Sequence, residues 1–290
     1  MTLTSTPVGP TTASMLTASS VLTSAHAHYV PEPPADQLVD RLRRAIDRND
    51  LDVAFQPTVE LRAGVVTGFE ALARWNDDVF GEVSPTTFIP LAEQHGLIGD
   101  LGALVRRRAV EALLTRRRRS HGVQPVQLWV NVSPLELEDA RRVDEILDLA
   151  ARQPSVRLGV EITEQSEIAI VRLSDALERL TRSGVSLALD DFGSGVAAYS
   201  LLPHLPLSVL KLDRGLVGEI AYDRRSLVVV EHLVGLAHQL GFAVTAEGVE
   251  QLDQYQALRD LGCDQCQGFL TGSPLPAHRA FSSASVSRAA

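Results

Sequence analysis

A chain of 290 residues with 45% hydrophobic and 22% charged content can bury one large core or two modest ones. Its formal net charge of −9 excludes a broad, nonspecific binder of DNA or RNA polymers, although a small anionic ligand could still be held locally. No apolar run approaches the roughly 18 residues of a membrane span, and two cysteines are too few for a disulfide framework.

Residues 1–33 are rich in Thr, Ser, Ala and Pro and carry no Lys or Arg. They read as a flexible leader rather than a secretory signal, which needs a basic start and a continuous apolar segment. With the low cysteine count this gives a cytoplasmic expectation. The folded part is expected over 34–280, with a tail over 281–290. It opens on "ADQLVDRLRRAIDRND", where Leu38, Leu42 and Ile46 recur at four-residue spacing, one apolar face of a helix. Eight β-branched or apolar segments follow, at 52–58, 65–72, 127–132, 157–162, 185–190, 207–212, 242–247 and 263–269. Helical patterns such as "DEILDLAARQ" and "SLVVVEHLVGLAHQLG" separate most of them, and strands alternating with helices imply parallel pairing. Only residues 62–64 separate the first two strands, too few for a parallel crossover of about a dozen residues. The fold class is therefore α/β, a TIM-like (β/α)8 barrel with one antiparallel strand in an opening hairpin.

Near the end of each segment stands a polar residue: Gln56, Glu70, Asn131, Glu161, the adjacent Asp190 and Asp191, Lys211, Glu247 and Gln267. The carboxyl ends of barrel strands face one mouth, where groups from several strands meet. One such residue is an ordinary turn-former; eight in succession are a pattern. Five of the groups are carboxylates, three are amides, Asn131 among them, and none is His or Cys, a donor set that favours Mg²⁺ or Mn²⁺ over structural zinc. Adjacent aspartates repel and cost desolvation energy. They can be bridging and terminal ligands of two ions about 3.5–4 Å apart, the separation that clamps the attacking and leaving oxygens of a phosphodiester.

The ordered motifs "GFEALARW" (68–75), "FIPLAEQHGLI" (88–98), "WVNVSP" (129–134), "GVEITE" (159–164), "ALDDFGSG" (188–195), "LKLDRGLV" (210–217), "AEGVE" (246–250) and "GCDQCQGFL" (262–270) closely resemble the EAL-domain family of cyclic-di-GMP phosphodiesterases over residues 38–277. The resemblance implies metal ligation by Glu70, Asn131, Glu161 and Asp190, with Asp191 and Glu247 completing a second metal site and the nucleophilic water. It implies that Lys211 orients or polarises that water, that Gln267 helps close the shell, and that Glu164 steadies the loop after Asp191. Gln56 and Arg74 match substrate-contacting positions, and an arginine fork suits a phosphate oxygen. The implied reaction opens the cyclic dinucleotide to linear pGpG with two Mg²⁺ or Mn²⁺ ions, in a homodimer and with a possible regulatory protein partner. The rival reading is a catalytically silent receptor that signals through a partner.

Two stretches depart from the family pattern. After "DDFG" the family continues Thr-Gly-Tyr-Ser-Ser-Leu, where this chain has Ser194, Gly195, Val196, Ala197, Ala198 and Tyr199; the other is Ser208, at a commonly acidic position. Cys263 and Cys266 form a CxxC that lacks the four ligands of a structural zinc site. The arginine-rich stretch 106–120 reads as a barrel helix with a solvated basic side. Trp75 and Trp129 fit core packing as well as base stacking.

Overall fold

The short link at 62–64 does force a reversal: β1 (Asp52–Glu60) and β2 (Val65–Asp77) pair antiparallel, with Gln56 opposite Glu70. The computed structural model describes residues 35–119, 126–163, 172–194 and 199–282, all within the unit Pro33–Ala290. The leader expected at 1–33, Glu164 and residues 195–198 lie outside the described residues. After the hairpin come β3 (Gly81–Val83), β4 (Gln127–Asn131), β5 (Arg157–Thr163), β6 (Ser186–Phe192), β7 (Val209–Leu212), β8 (Ala243–Ala246), β9 (Gln265–Cys266) and β10 (Leu275–Pro276).

The sheet closes in the order β1, β9, β8, β7, β6, β5, β4, β2 and back to β1. Seven of these eight strands run parallel, and β1 is antiparallel to both neighbours. The expected barrel with one reversed strand is the observed fold. Two short strands were not anticipated: β3 on the far end of β2, and β10 on β1. β2 outruns its expected end at 72 because Trp75, paired with Val83, has its own core to fill. There the helix α1 (Ala35–Arg48) lays Leu38, Val39, Leu42 and Ala45 against Trp75, Phe88 and Leu101. Phe88 and Leu101 come from α2 (Pro85–Gln94) and α3 (Ile98–Arg119).

The main core lies between the barrel wall and its outer helices. Phe281, the first residue past the expected barrel boundary, packs between Phe55 and Phe69 at ring distances of 4.8 and 5.0 Å. Arg116 lies over both Phe69 and Phe281, a cation on two aromatic faces. Inside the barrel, strand alternation places the residue two before each mouth residue in the layer beneath it. That layer holds Trp129, Ala188 and Val209. Gly159 makes room for the indole, since a Cβ there would come within 2.3 Å of the ring. Trp129 is thus the barrel's filling and Trp75 belongs to the second cluster; neither is a stacking platform at the mouth. Ser208 begins β7 from below, its hydroxyl accepting from Leu187 N at 3.4 Å, so a small polar group suffices there.

Arg106 corrects the reading of the basic stretch. It is not on a solvated side but 2% exposed, inside α3. Among the described residues, no helix is long and apolar enough to cross a membrane.

Candidate active site

Asp190 and Asp191 reach the mouth together because the strand breaks its own alternation between them. Neighbours on a strand normally face opposite sides. Asp191 has φ +55°, the left-handed region that non-glycine residues seldom adopt, and the β6–β7 register shifts between Leu189 and Phe192. The bulge turns the second carboxylate back toward the first, while Phe192 stays fully buried behind it. Asp191 N donates to Asp190 Oδ1 at 3.0 Å.

On the other side of the mouth, Glu70 is pinned at both oxygens by neutral amides. Asn131 Nδ2 donates to Oε1 at 2.7 Å, and Gln267 Nε2 to Oε2 at 2.5 Å. Gln267 Nε2 also lies 3.1 Å from Gln56 Oε1, and Gln56 Nε2 donates to Gly272 O at 3.1 Å. Thr58, on the same face of β1 as Gln56, donates its hydroxyl to Gln267 Oε1 at 3.3 Å. Thr58 was missed in the sequence. Its one signal is its place two residues from Gln56, which counts only once β1 is known to be paired inside a closed barrel.

Lys211 rises at the centre. Its ammonium lies 2.7 Å from Glu247, 2.9 Å from Glu161, 3.0 Å from Asp190 and 3.9 Å from Glu70. One cation therefore faces four carboxylates, and Lys211, Glu161, Glu70 and Asp190 are all buried. Burial alone would discharge the lysine, but Glu161, Glu70, Glu247 and Asp190 together hold its pKa well above the ordinary range. Burial would raise Glu70 too, yet Lys211 and the Gln267 and Asn131 hydrogen bonds hold it below its usual value. The remaining acids go the other way. Burial, then repulsion from Glu70 and Asp190, outweighs Lys211 and raises Glu161 well above the carboxylate range. Burial with the same neighbours lifts Glu247 to about 8, and burial with Asp190 and Asp213 raises Asp191.

These carboxylates form two overlapping groups, Glu70 with Glu161 and Asp190, and Asp190 with Asp191 and Glu247. In each group one oxygen per residue lies within 4.8 Å of the others. Neither oxygen of Glu161 has an aligned hydrogen-bond donor among the described residues. A buried acid whose neighbour is a shared ammonium rather than an aligned donor, an all-oxygen set and one cation among four anions fit hard divalent ions. Arg74 stands on the wall of an adjoining 210 Å³ cavity that also touches Leu72, Ile89, Asn131 and Glu161, and its guanidinium donates to Ala73 O at 2.9 Å. The two cysteines are buried free thiols, which burial pushes up to about 12; they take no part in the mouth.

Comparison with known proteins agrees with this geometry. The bifunctional diguanylate cyclase/cyclic di-GMP phosphodiesterase MucR of Pseudomonas aeruginosa is 37% identical over 251 residues, 85% of this chain and 36% of MucR. The cyclic di-GMP phosphodiesterase NbdA of the same organism is 35% identical over 244 residues, 83% of this chain and 31% of NbdA. This chain thus spans about a third of the length of the curated relatives it matches. Among solved structures, the PaMucR phosphodiesterase in its c-di-GMP complex superposes with a TM-score of 0.76 at 35% identity, covering 84% of this chain and 99% of that one. The family model of the EAL domain matches residues 39–274, and with the barrel, the ordered motifs and the acidic mouth in place, the chain belongs to the EAL domain family.

Proposed function

We propose that this chain is a metal-dependent phosphodiesterase that hydrolyses cyclic-di-GMP to linear pGpG. The observation that carries the reading is the pair of carboxylate groups sharing Asp190, buried around a single ammonium. Relatives named as cyclic di-GMP phosphodiesterases supply the substrate class.

Glu70, Asn131, Glu161 and Asp190 would hold one Mg²⁺ or Mn²⁺, and Asp190, Asp191 and Glu247 a second. When bound, such a pair supplies Lewis-acid polarisation of a phosphate oxygen and a water acidic enough to be a nucleophile near neutral pH. The chain's own residues do the rest. Lys211, charged and buried, orients the attacking water and offsets negative charge as the phosphorus centre becomes five-coordinate. Glu247, whose carboxylate lies 2.7 Å from the Lys211 ammonium, would face the attacking water together with the second ion. Gln56 and Arg74 would place the dinucleotide, Arg74 by giving up its contact to Ala73 for a phosphate oxygen. Gln267 acts first on Glu70, whose orientation it fixes. Glu164 is proposed to steady the loop after Asp191. The reading includes a cytoplasmic compartment, in keeping with two free buried thiols, and a homodimer or regulatory partner whose contact residues 194–199 would tune.

The test is direct. Incubation with cyclic-di-GMP and Mg²⁺ or Mn²⁺ should release pGpG, and chelation should stop it. Tight binding of cyclic-di-GMP without product would replace the enzyme by the silent receptor, and full turnover by Glu70→Ala would remove Glu70 from the machinery.

A further inference from the structure

The turn that follows Asn131 is fixed from three directions. Ser133 caps the short helix Pro134–Leu137 in a reciprocal box, its hydroxyl accepting from Leu135 N while Glu136 Oε1 accepts from Ser133 N at 3.3 Å. The Ser133 hydroxyl donates to Glu93 Oε1 on α2 at 2.6 Å. The second oxygen of Glu136 faces Arg106 Nη1 on α3 at 2.8 Å, with side chains 1% and 2% exposed. Gly102, inside α3, leaves the space: a Cβ there would stand 2.4 Å from Glu136 Oε2 and 2.8 Å from Arg106 Nη1.

This pair is a poor device for stability. Neither Arg106 Nη1 nor Nη2, nor Glu136 Oε2, has an aligned hydrogen bond among the described residues. Burial outweighs the neighbouring guanidinium and holds the Glu136 carboxyl above its ordinary value. Replacing such a pair by apolar or neutral groups of similar volume is commonly neutral or stabilising, so its retention has to be sought in what it orients. What it orients is the turn two residues beyond Asn131, whose amide holds Glu70.

We propose that the buried Arg106–Glu136 pair is a positioning device: it anchors the Ser133 turn to α3 and so sets the Asn131 amide for Glu70 and for the ion these two residues would share. The inference rests on the metal reading above. Orienting partners of ligands are typically worth about 10- to 100-fold in metal affinity, and the value expected here is at the lower end because one turn intervenes.

The experiment is Mn²⁺ binding, by calorimetry or by the loss of free Mn²⁺ signal in electron paramagnetic resonance, alongside thermal melting of the metal-free protein. Arg106→Met combined with Glu136→Gln removes both charges, keeps the volume and leaves an acceptor for Ser133 N. It should melt no lower than the wild type, yet bind Mn²⁺ about tenfold more weakly. A folded double variant with wild-type Mn²⁺ affinity overturns the proposal and reduces the pair to packing. If the double variant does not fold, Arg106→Lys decides, with a few-fold loss supporting the anchor and unchanged affinity overturning it. A wild-type protein that binds no Mn²⁺ sinks the metal reading and this inference together, whereas wild-type binding with indifferent variants sinks this inference alone.

Discussion

The two sides of the acidic mouth are built on opposite principles. Around Glu70 the donors are neutral amides from the end of β4 and the residue after β9, each oxygen is satisfied, and with Lys211 nearby the carboxylate stays below its usual pKa. Around Asp190, Asp191 and Glu247 the neighbours are other acids, satisfied chiefly by Lys211, and the carboxyls of Asp191 and Glu247 are pushed up. The first side is set before any ion arrives. The second is settled by Lys211 and by protons, so ion binding there would have to displace protons that the crowded acids hold.

The largest break in this comparison is Asp190→Asn, because Asp190 belongs to both groups. Hydrolysis should fall at least about 10³-fold, with Mn²⁺ stoichiometry reduced as well as affinity. Loss of activity with both ions still bound at wild-type strength would mean that Asp190 is not the shared ligand.

Lys211→Met comes next. Leaving four acids without their ammonium should destabilise the metal-free protein by about 3–5 kcal/mol, the usual cost of breaking a buried pair from one side. Divalent ions should recover most of it, so the melting-temperature gain on adding Mg²⁺ should be larger in the variant than in the wild type. An equal gain in both would show that lysine and metal answer to different charges.

The pH dependence of stability separates the sides without mutation. A carboxyl whose folded pKa lies above its unfolded value favours the fold only while it is protonated, so its contribution is complete below the unfolded pKa and lost as pH rises through the folded one. Glu247, about 8 against an ordinary 4.5, sets the window, and Glu161 and Asp191 shift in the same direction. Metal-free protein should therefore lose a few kcal/mol at most between about pH 4.5 and 8. Mg²⁺ should flatten that decline, since ligation releases the same protons. A flat profile in chelator would contradict the crowded half as described.

Much of this arrangement was legible in the residues themselves. The eight segments, the hairpin forced by residues 62–64 and the ring of Gln56, Glu70, Asn131, Glu161, Asp190, Lys211, Glu247 and Gln267 follow from period and spacing. What escaped depended on the third dimension. Arg106 interrupts the apolar stripe of α3, and a linear reading assigns it to solvent with the arginines beside it. Only packing reveals that Gly102 and Glu136 receive it. Asp191 looked like the end of a strand, but its side chain reaches the mouth through a left-handed residue and a register shift that no hydrophobic period encodes.

The finest test concerns how firmly the amide side is set. Thr58 fixes the carbonyl end of the Gln267 amide, so the nitrogen is left facing Glu70. Thr58→Val keeps the shape and removes the hydroxyl. It leaves Gln267 Oε1 without that donor and costs about 1 kcal/mol, which corresponds to a several-fold weaker Mn²⁺ affinity if the amide's orientation is what holds Glu70. Thr58→Ser keeps the hydroxyl and should bind as the wild type does. The other half of the mouth gives the control: the pH dependence of stability, governed by Glu247 and Glu161, should be the same in both variants. If Thr58→Val changed that dependence as well, the two sides would be one coupled network, and the division drawn between them would fail.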